Sequence, residues 1–206
     1  MTAAASDYAW FEDDSGLAES YCMTLARGLT PCGFLLRVGA QAAPPLTGLD
    51  LLCEPSMDLW RAYEGERLLI GVTTAQGDGG DWALGFEFNG YLGVTQELIV
   101  PLSAGTRVVS HYSSVAGPDQ FYWIEDRYIR LHFDPVEPAY RDGSTPDAVV
   151  DVMREVGFDL REDSENTQHC TAAALALAEH LTGVRLTPEL LAASTYTCGT
   201  VPAPPI

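Results

Sequence analysis

Residues 82–90 read Trp-Ala-Leu-Gly-Phe-Glu-Phe-Asn-Gly. Trp82, Leu84, Phe86 and Phe88 alternate with small or polar neighbours, the two-residue period of a strand with one buried face. Asn89-Gly90 follows with two residues that tolerate positive φ, so the stretch predicts a strand running into a type I′ hairpin. Outward from it, from about Arg67 to Phe133, helical periodicity is missing and β-branched and aromatic residues dominate, broken by Gly77-Asp78-Gly79-Gly80 and Gly117-Pro118. Further strands are expected near 67–73, 98–102, 106–112, 119–125 and 128–133, making a meander.

The flanks differ in kind. Thr30-Pro31, Thr145-Pro146 and Thr187-Pro188 each precede an apolar helical pattern, with threonine placed to cap the orphan amides and proline at the first helical position. Helices are therefore expected to start at 31, 146 and 188. Leu17, Ala18, Tyr21, Cys22 and Leu25 recur at helical spacing ahead of Gly28, and Cys170, Ala174, Leu177 and Leu181 do so ahead of Gly183. Gln41 to Leu46, with its prolines, reads as a loop, and Val201 to Ile206 as an extended tail. The expected fold class is α+β: one domain over 1–206, helical at 15–40, a mostly antiparallel sheet at 67–133, helical again at 146–195, and extended from 199. A parallel nucleotide-binding sheet is disfavoured because βαβ alternation is missing.

Not one residue is a lysine; eleven arginines face 29 aspartates and glutamates, a formal net charge of -18. Schiff-base chemistry, a phosphate-loop lysine and a polybasic arm are excluded for want of the residues. Nucleic acid and anionic membranes would meet strong like-charge repulsion, so neither is an expected partner. No basic, apolar leader is visible, and the alanine-rich run from Ala172 to Ala178 falls far short of the roughly 20 apolar residues of a spanning helix, which leads to the expectation of a cytoplasmic protein. Cys22, Cys32, Cys53, Cys170 and Cys198 form an odd set without a Cys-x-x-Cys pair. They read as buried thiols rather than a disulfide framework or zinc site, and neither a metal nor a cofactor is expected.

The candidate chemistry lies on strands. Ile129, Leu131 and Phe133 alternate with Tyr128, Arg130 and His132, so one set is expected to face the core and the other a second, polar and aromatic face. A two-residue turn at Asp126-Arg127 sets Trp123 opposite Arg130 and Phe121 opposite His132; a one-residue slip exchanges the faces. By parity Arg107 and His111 share a face, as do Glu87 and Asn89. The expected site uses His132, His111 and Arg130 as catalytic groups, with Arg107, Trp123, Phe121, Tyr128 and Glu87 binding the ligand. The competing reading stacks Arg130 on Trp123 and keeps the histidines as satisfied core-edge groups.

Tyr21-Cys22 through Arg27-Gly28-Leu29-Thr30-Pro31, Phe86-Glu87-Phe88-Asn89-Gly90-Tyr91-Leu92-Gly93, Arg107-Val108-Val109-Ser110-His111-Tyr112, Phe133-Asp134-Pro135 and Leu181-Thr182-Gly183-Val184-Arg185-Leu186-Thr187-Pro188 together resemble an uncharacterised family of bacterial proteins, a domain of unknown function. The resemblance spans nearly the whole chain. It implies a single domain and no particular activity, and the chain departs from the pattern at Asp126-Arg127, where a glycine is expected. Two function classes follow. The preferred one is an acidic intracellular binding or regulatory module, of the immunity or adaptor type, that engages a basic protein partner or a small anionic ligand. The alternative is a metal-independent lyase, isomerase or cyclase built on the Arg/His/Trp face.

Overall fold

A computed structural model describes residues 3–13, 20–115, 117–163 and 167–204. Its frame is one nine-stranded antiparallel sheet. The strands are β1 (Ser20–Arg27), β2 (Gln41–Thr47), β3 (Arg67–Gly77), β4 (Gly80–Phe88), β5 (Arg107–Ser114), β6 (Gln120–Glu125), β7 (Tyr128–Phe133), β8 (Arg141–Asp142) and β9 (Thr195–Pro202), in the spatial order β2-β9-β3-β4-β1-β5-β6-β7-β8. The helices are α1 (Ala9–Asp13), α2 (Pro31–Arg37), α3 (Cys53–Ala62), α4 (Gln96–Leu102), α5 (Val150–Val156), α6 (Cys170–Thr182) and α7 (Pro188–Ala193). The fold is thus α+β with an antiparallel sheet, as expected.

The first predicted helix is instead the central strand. β1 pairs with β4 on one side and β5 on the other. Tyr21, Met23 and Leu25 enter the core on one face, while Cys22 and Ala26 enter the core on the other. A short apolar run buried on both faces has no polar positions to display a period of two, which is why it imitates a helix. Leu17 and Ala18, the start of that expected helix, lie outside the described residues.

Helices cover both faces. α6, with Ala172 to Ala178 all buried, joins α1, α3, α5 and α7 over the face that carries Met23, Val109, Phe121 and Phe133; this is the α6 face. α2 and α4 cover the opposite, α2/α4 face, with Phe34, Leu35, Ile99 and Leu102 against Ile70, Val108 and Ile124. Residues 98–102, expected as a strand, form α4, whose Ile99 and Leu102 are buried three apart on one helical side.

Two of the three Thr-Pro starts hold. Thr30 Oγ1 accepts from Gly33 N at 3.1 Å and Thr187 Oγ1 from Leu190 N at 3.1 Å. Thr145 Oγ1 instead donates to the Arg130 carbonyl at 3.4 Å, and α5 begins only at Val150. The expected loop at 41–46 is the edge strand β2, whose pairing with β9 is irregular between Ala43 and Leu46, where Pro44 and Pro45 lack the donors a regular ladder needs. Residues 195–202 form β9, paired on both edges; Pro205 and Ile206 lie outside the described residues.

The Asn89-Gly90 hairpin is not made. β4 ends at Phe88, and the chain turns through a 3-10 helix at Leu92–Val94 into α4, so that β5 returns beside β1 and not beside β4. Asn89 does take φ 55, but Gly90 is outside the positive-φ set, and its lack of a side chain serves proximity: a Cβ there would stand 2.7 Å from the Glu87 Cβ.

Asp126-Arg127 does make the two-residue turn between β6 and β7, with φ of 45 and 70. The register then departs from the expected one. Ile124 pairs with Ile129 but Trp123 pairs with Leu131, leaving Arg130 as the extra residue of a bulge. Holding a side-chain-bearing arginine at positive φ costs conformational energy that glycine avoids. Arg127→Gly is therefore expected to raise stability by about 1 kcal/mol, read as a higher urea midpoint at unchanged slope; an unchanged or lower midpoint would contradict this account of the turn.

Candidate functional site

The bulge at Arg130 redistributes the residues expected to form one site. Arg107 and Arg130 stand over Trp123, their guanidinium carbons 5.5 and 5.9 Å from its ring centroid, on the α6 face. His111 and Phe121 follow on that same face. His132 goes to the other face, stacked on Tyr122 with centroids 4.2 Å apart and rings 20° from parallel. Glu87, across from Cys22, also lies on the α2/α4 face. Tyr128 is 68% exposed at the tip of the β6–β7 hairpin. The expected pairings Trp123–Arg130 and Phe121–His132 are replaced by Trp123–Leu131 and Tyr122–His132, because the extra residue flips the chain after it.

Each titratable member is then held by its surroundings. His111 is fully buried, its Nδ1 2.6 Å from the Tyr21 hydroxyl, and burial depresses its pKa to about 3, so the ring is neutral. Packed beside the Tyr21 and Phe121 rings and 0% exposed, it presents no surface to a ligand in solution. Burial also lowers His132, against the opposing pull of Asp142 and Asp134. Arg107 is fixed by an ion pair with Glu125 and by donation to the Leu181 carbonyl at 2.6 Å, at the C-terminal end of α6. Burial raises Asp119, beside β5 and accepting from Ser114 N, to about 6.

Glu87 has a structural task. Its side chain is 1% exposed, and Oε2 accepts from Leu92 N at 3.1 Å, so the carboxyl pins the turn that carries the chain out of β4. Gly90 and Gly93 permit this approach: a Cβ at Gly93 would fall 2.7 Å from Cys22 Sγ. The Phe-Glu-Phe-Asn-Gly-Tyr-Leu-Gly stretch is thus a buried acid with two glycines folded over it. Of the cysteines, all free, Cys22 and Cys198 are buried, Cys53 and Cys170 are half-buried, and Cys32 is exposed, which corrects the uniform burial expected of them.

The described residues line two open clefts of several hundred Å³. One, of about 520 Å³, lies at the end of the sheet where β1, α2 and β5 converge, and is lined by Arg27, Arg37, Arg107, Thr106, Glu125 and Asp126 among others. The second, of about 450 Å³, lies on the α2/α4 face, where Tyr91, Tyr112 and Tyr122 meet Gln96, Glu97 and Gln120. Of the expected ligand-binding residues only Arg107 lines either cleft. Tyr112 and Tyr122 escaped sequence reasoning because their shared face depends on the register of β5 on β6, and Arg27 and Arg37 because they end a strand mistaken for a helix and a short helix. Among the described residues no helix is long and apolar enough to cross a membrane.

These features define an α+β protein with a two-sided antiparallel sheet, a deeply buried acid at Glu87 and, among the described residues, two open clefts of several hundred Å³. The chain belongs to a family of unknown function (DUF6461), whose profile matches residues 1–205. No curated protein and no solved structure matches it.

Burial raises the Glu87 pKa from 4.5 to about 8, so between those values the unfolded chain has released a proton that the native state keeps. The native state binds more protons across that window, and stability attributable to Glu87 falls as pH rises through it. Glu87→Gln keeps an acceptor for Leu92 N and removes the ionisation. Its urea midpoint relative to the parent is expected to be higher at about pH 8.5 than at about pH 5; a pH-independent difference would show that Glu87 is ionised in the native state.

Proposed function

We propose that this chain is a non-catalytic binding module that engages a basic protein partner, taking a cationic side chain of that partner into the tyrosine cleft. The observation that carries the reading is the composition of the cleft: three tyrosines and the Glu97 carboxylate, with no arginine or histidine among its described lining, in a chain of net charge -18. A cation held against tyrosine faces is attracted by the ring quadrupole, and a nearby carboxylate adds to that attraction. The long-range field of the acidic surface would steer such a partner to the cleft.

The cleft is braced. Tyr122 Oη accepts from Gln96 Nε2 at 3.3 Å, and Tyr91 Oη donates to the Pro204 carbonyl at 3.0 Å. The enzyme alternative needs Arg130 and a histidine acting together; His132 lies on the opposite face from the Arg–Trp cluster and His111 is enclosed, which speaks for binding over catalysis.

A lysine-rich decapeptide titrated calorimetrically is expected to bind, and to weaken steeply between about 50 and about 300 mM NaCl. The double variant Glu97→Gln/Tyr112→Ala should bind at least about fivefold more weakly, a loss on the scale of one cation–π contact and one carboxylate. Equal binding by the variant would reduce the interaction to diffuse surface charge and overturn the reading.

A further inference from the structure

Of the eleven arginines, Arg27, Arg37, Arg67, Arg127, Arg130 and Arg185 have no ion pair among the described residues, and two of these share one opening. Arg61, Arg141, Arg154 and Arg161 each face an aspartate within ion-pair distance. Three others line a single cleft of about 520 Å³, and two of those, Arg27 and Arg37, have no carboxylate partner among the described residues. In a chain that holds only eleven cations against 29 carboxylates, two guanidinium groups without a carboxylate partner beside one opening are not accounted for by neutralisation within the fold.

The cleft is built around them. Arg37 Nη1 donates to the carbonyls of Leu102 at 2.8 Å and Ala104 at 3.1 Å, which orients the guanidinium and leaves Nε and Nη2 without described partners. Arg27 ends β1 next to Arg107, which opens β5, and its carbonyl accepts from Thr106 Oγ1 at 2.6 Å. The exposed Arg27 guanidinium lies beside Gly79 of the β3–β4 turn, whose φ of 75 is what calls for glycine there. Arg107 is already engaged by Glu125 and Leu181 and serves as a fixed charge at the wall. On the rim, Asp126 uses Oδ1 to accept from Gly105 N, and Glu125 uses Oε1 for Arg107; the second oxygen of each has no described partner.

From this arrangement we propose that the cleft binds a phosphate monoester of a hydroxylated small molecule, with Arg27 and Arg37 taking the phosphate and the free oxygens of Glu125 and Asp126 accepting from hydroxyl groups. The guanidinium fork matches phosphate oxygens in two-bond geometry, and a side chain already pinned by backbone carbonyls loses little entropy on binding. The described lining offers no aromatic side chain, which selects a polar ligand body over a nucleobase. The site is separate from the tyrosine cleft and does not depend on the basic-partner reading.

The full chain should be titrated calorimetrically with glucose 6-phosphate, inorganic phosphate and glucose. The ester is expected to bind, inorganic phosphate to bind more weakly, and glucose to give no heat. Arg27→Gln, at an exposed position, should keep the urea midpoint of the parent and weaken the ester at least about tenfold, with Arg37→Gln acting in the same direction. The tyrosine-cleft variant Glu97→Gln/Tyr112→Ala should bind the ester as the parent does. Failure of the ester to bind, equal binding of glucose, equal binding of inorganic phosphate, or indifference to Arg27→Gln at an unchanged midpoint would each overturn the assignment.

Discussion

The insertion of β1 between β4 and β5, with both of its faces buried, is the constraint on which the rest of the architecture rests. A strand hydrogen-bonded along both edges and apolar on both sides needs both faces of the sheet covered, and here helices cover them. That requirement calls α6 to one side and α2 and α4 to the other. It also explains why the chain leaves β4 through a turn and a helix instead of a hairpin: the position beside β4 is already taken by β1, so β5 has to be reached by crossing over. Glu87 holds that crossing in place, a buried acid whose pKa burial raises, bonded to the backbone of the turn it serves.

Charge is distributed by the same logic. The acids that penetrate the core, Glu87 and Asp119, are shifted towards neutrality by burial, and His111 is kept uncharged, so the interior carries little of the formal charge of -18. The ionised carboxylates therefore lie largely at the surface, where water solvates them. With no lysine, the positive field is limited to arginines, and their positions in the fold matter more than their number. Four neutralise individual aspartates, Arg107 and Arg130 stand over Trp123, and Arg27 and Arg37 join Arg107 at the cleft where β1 and α2 end. The two clefts are consequently opposite in character: one gathers arginines, the other tyrosines and a carboxylate.

Much of the local structure was legible in the residues. Thr30-Pro31 and Thr187-Pro188 open helices with the expected caps, Gly183 ends α6 in the left-handed region, Gly77 to Gly80 closes a hairpin, and Asp126-Arg127 makes its turn. Each is a property of a few consecutive residues with a specific backbone demand. Tyr21 to Ala26 was misread because burial on both faces erases the period that marks a strand, and Asn89-Gly90 because its glycine answers to a close approach by Glu87 and not to a turn type. The candidate site was legible only in part. Arg107, Arg130 and Trp123 do come together, but one bulged residue sends His132 to the far side of the sheet.

By itself, the sequence determined the α+β class, the antiparallel central sheet, the helix starts with true caps and the exclusion of lysine chemistry, since these follow from composition and from contacts within a few residues. Only the tertiary structure decided which strand is central, where the bulge falls and which arginines and tyrosines share an opening. Those outcomes depend on pairings between segments up to about three quarters of the chain apart, as between Gln41 and Thr200, and the free energy that selects one register over its neighbour comes from burying whole faces at once and not from any local propensity.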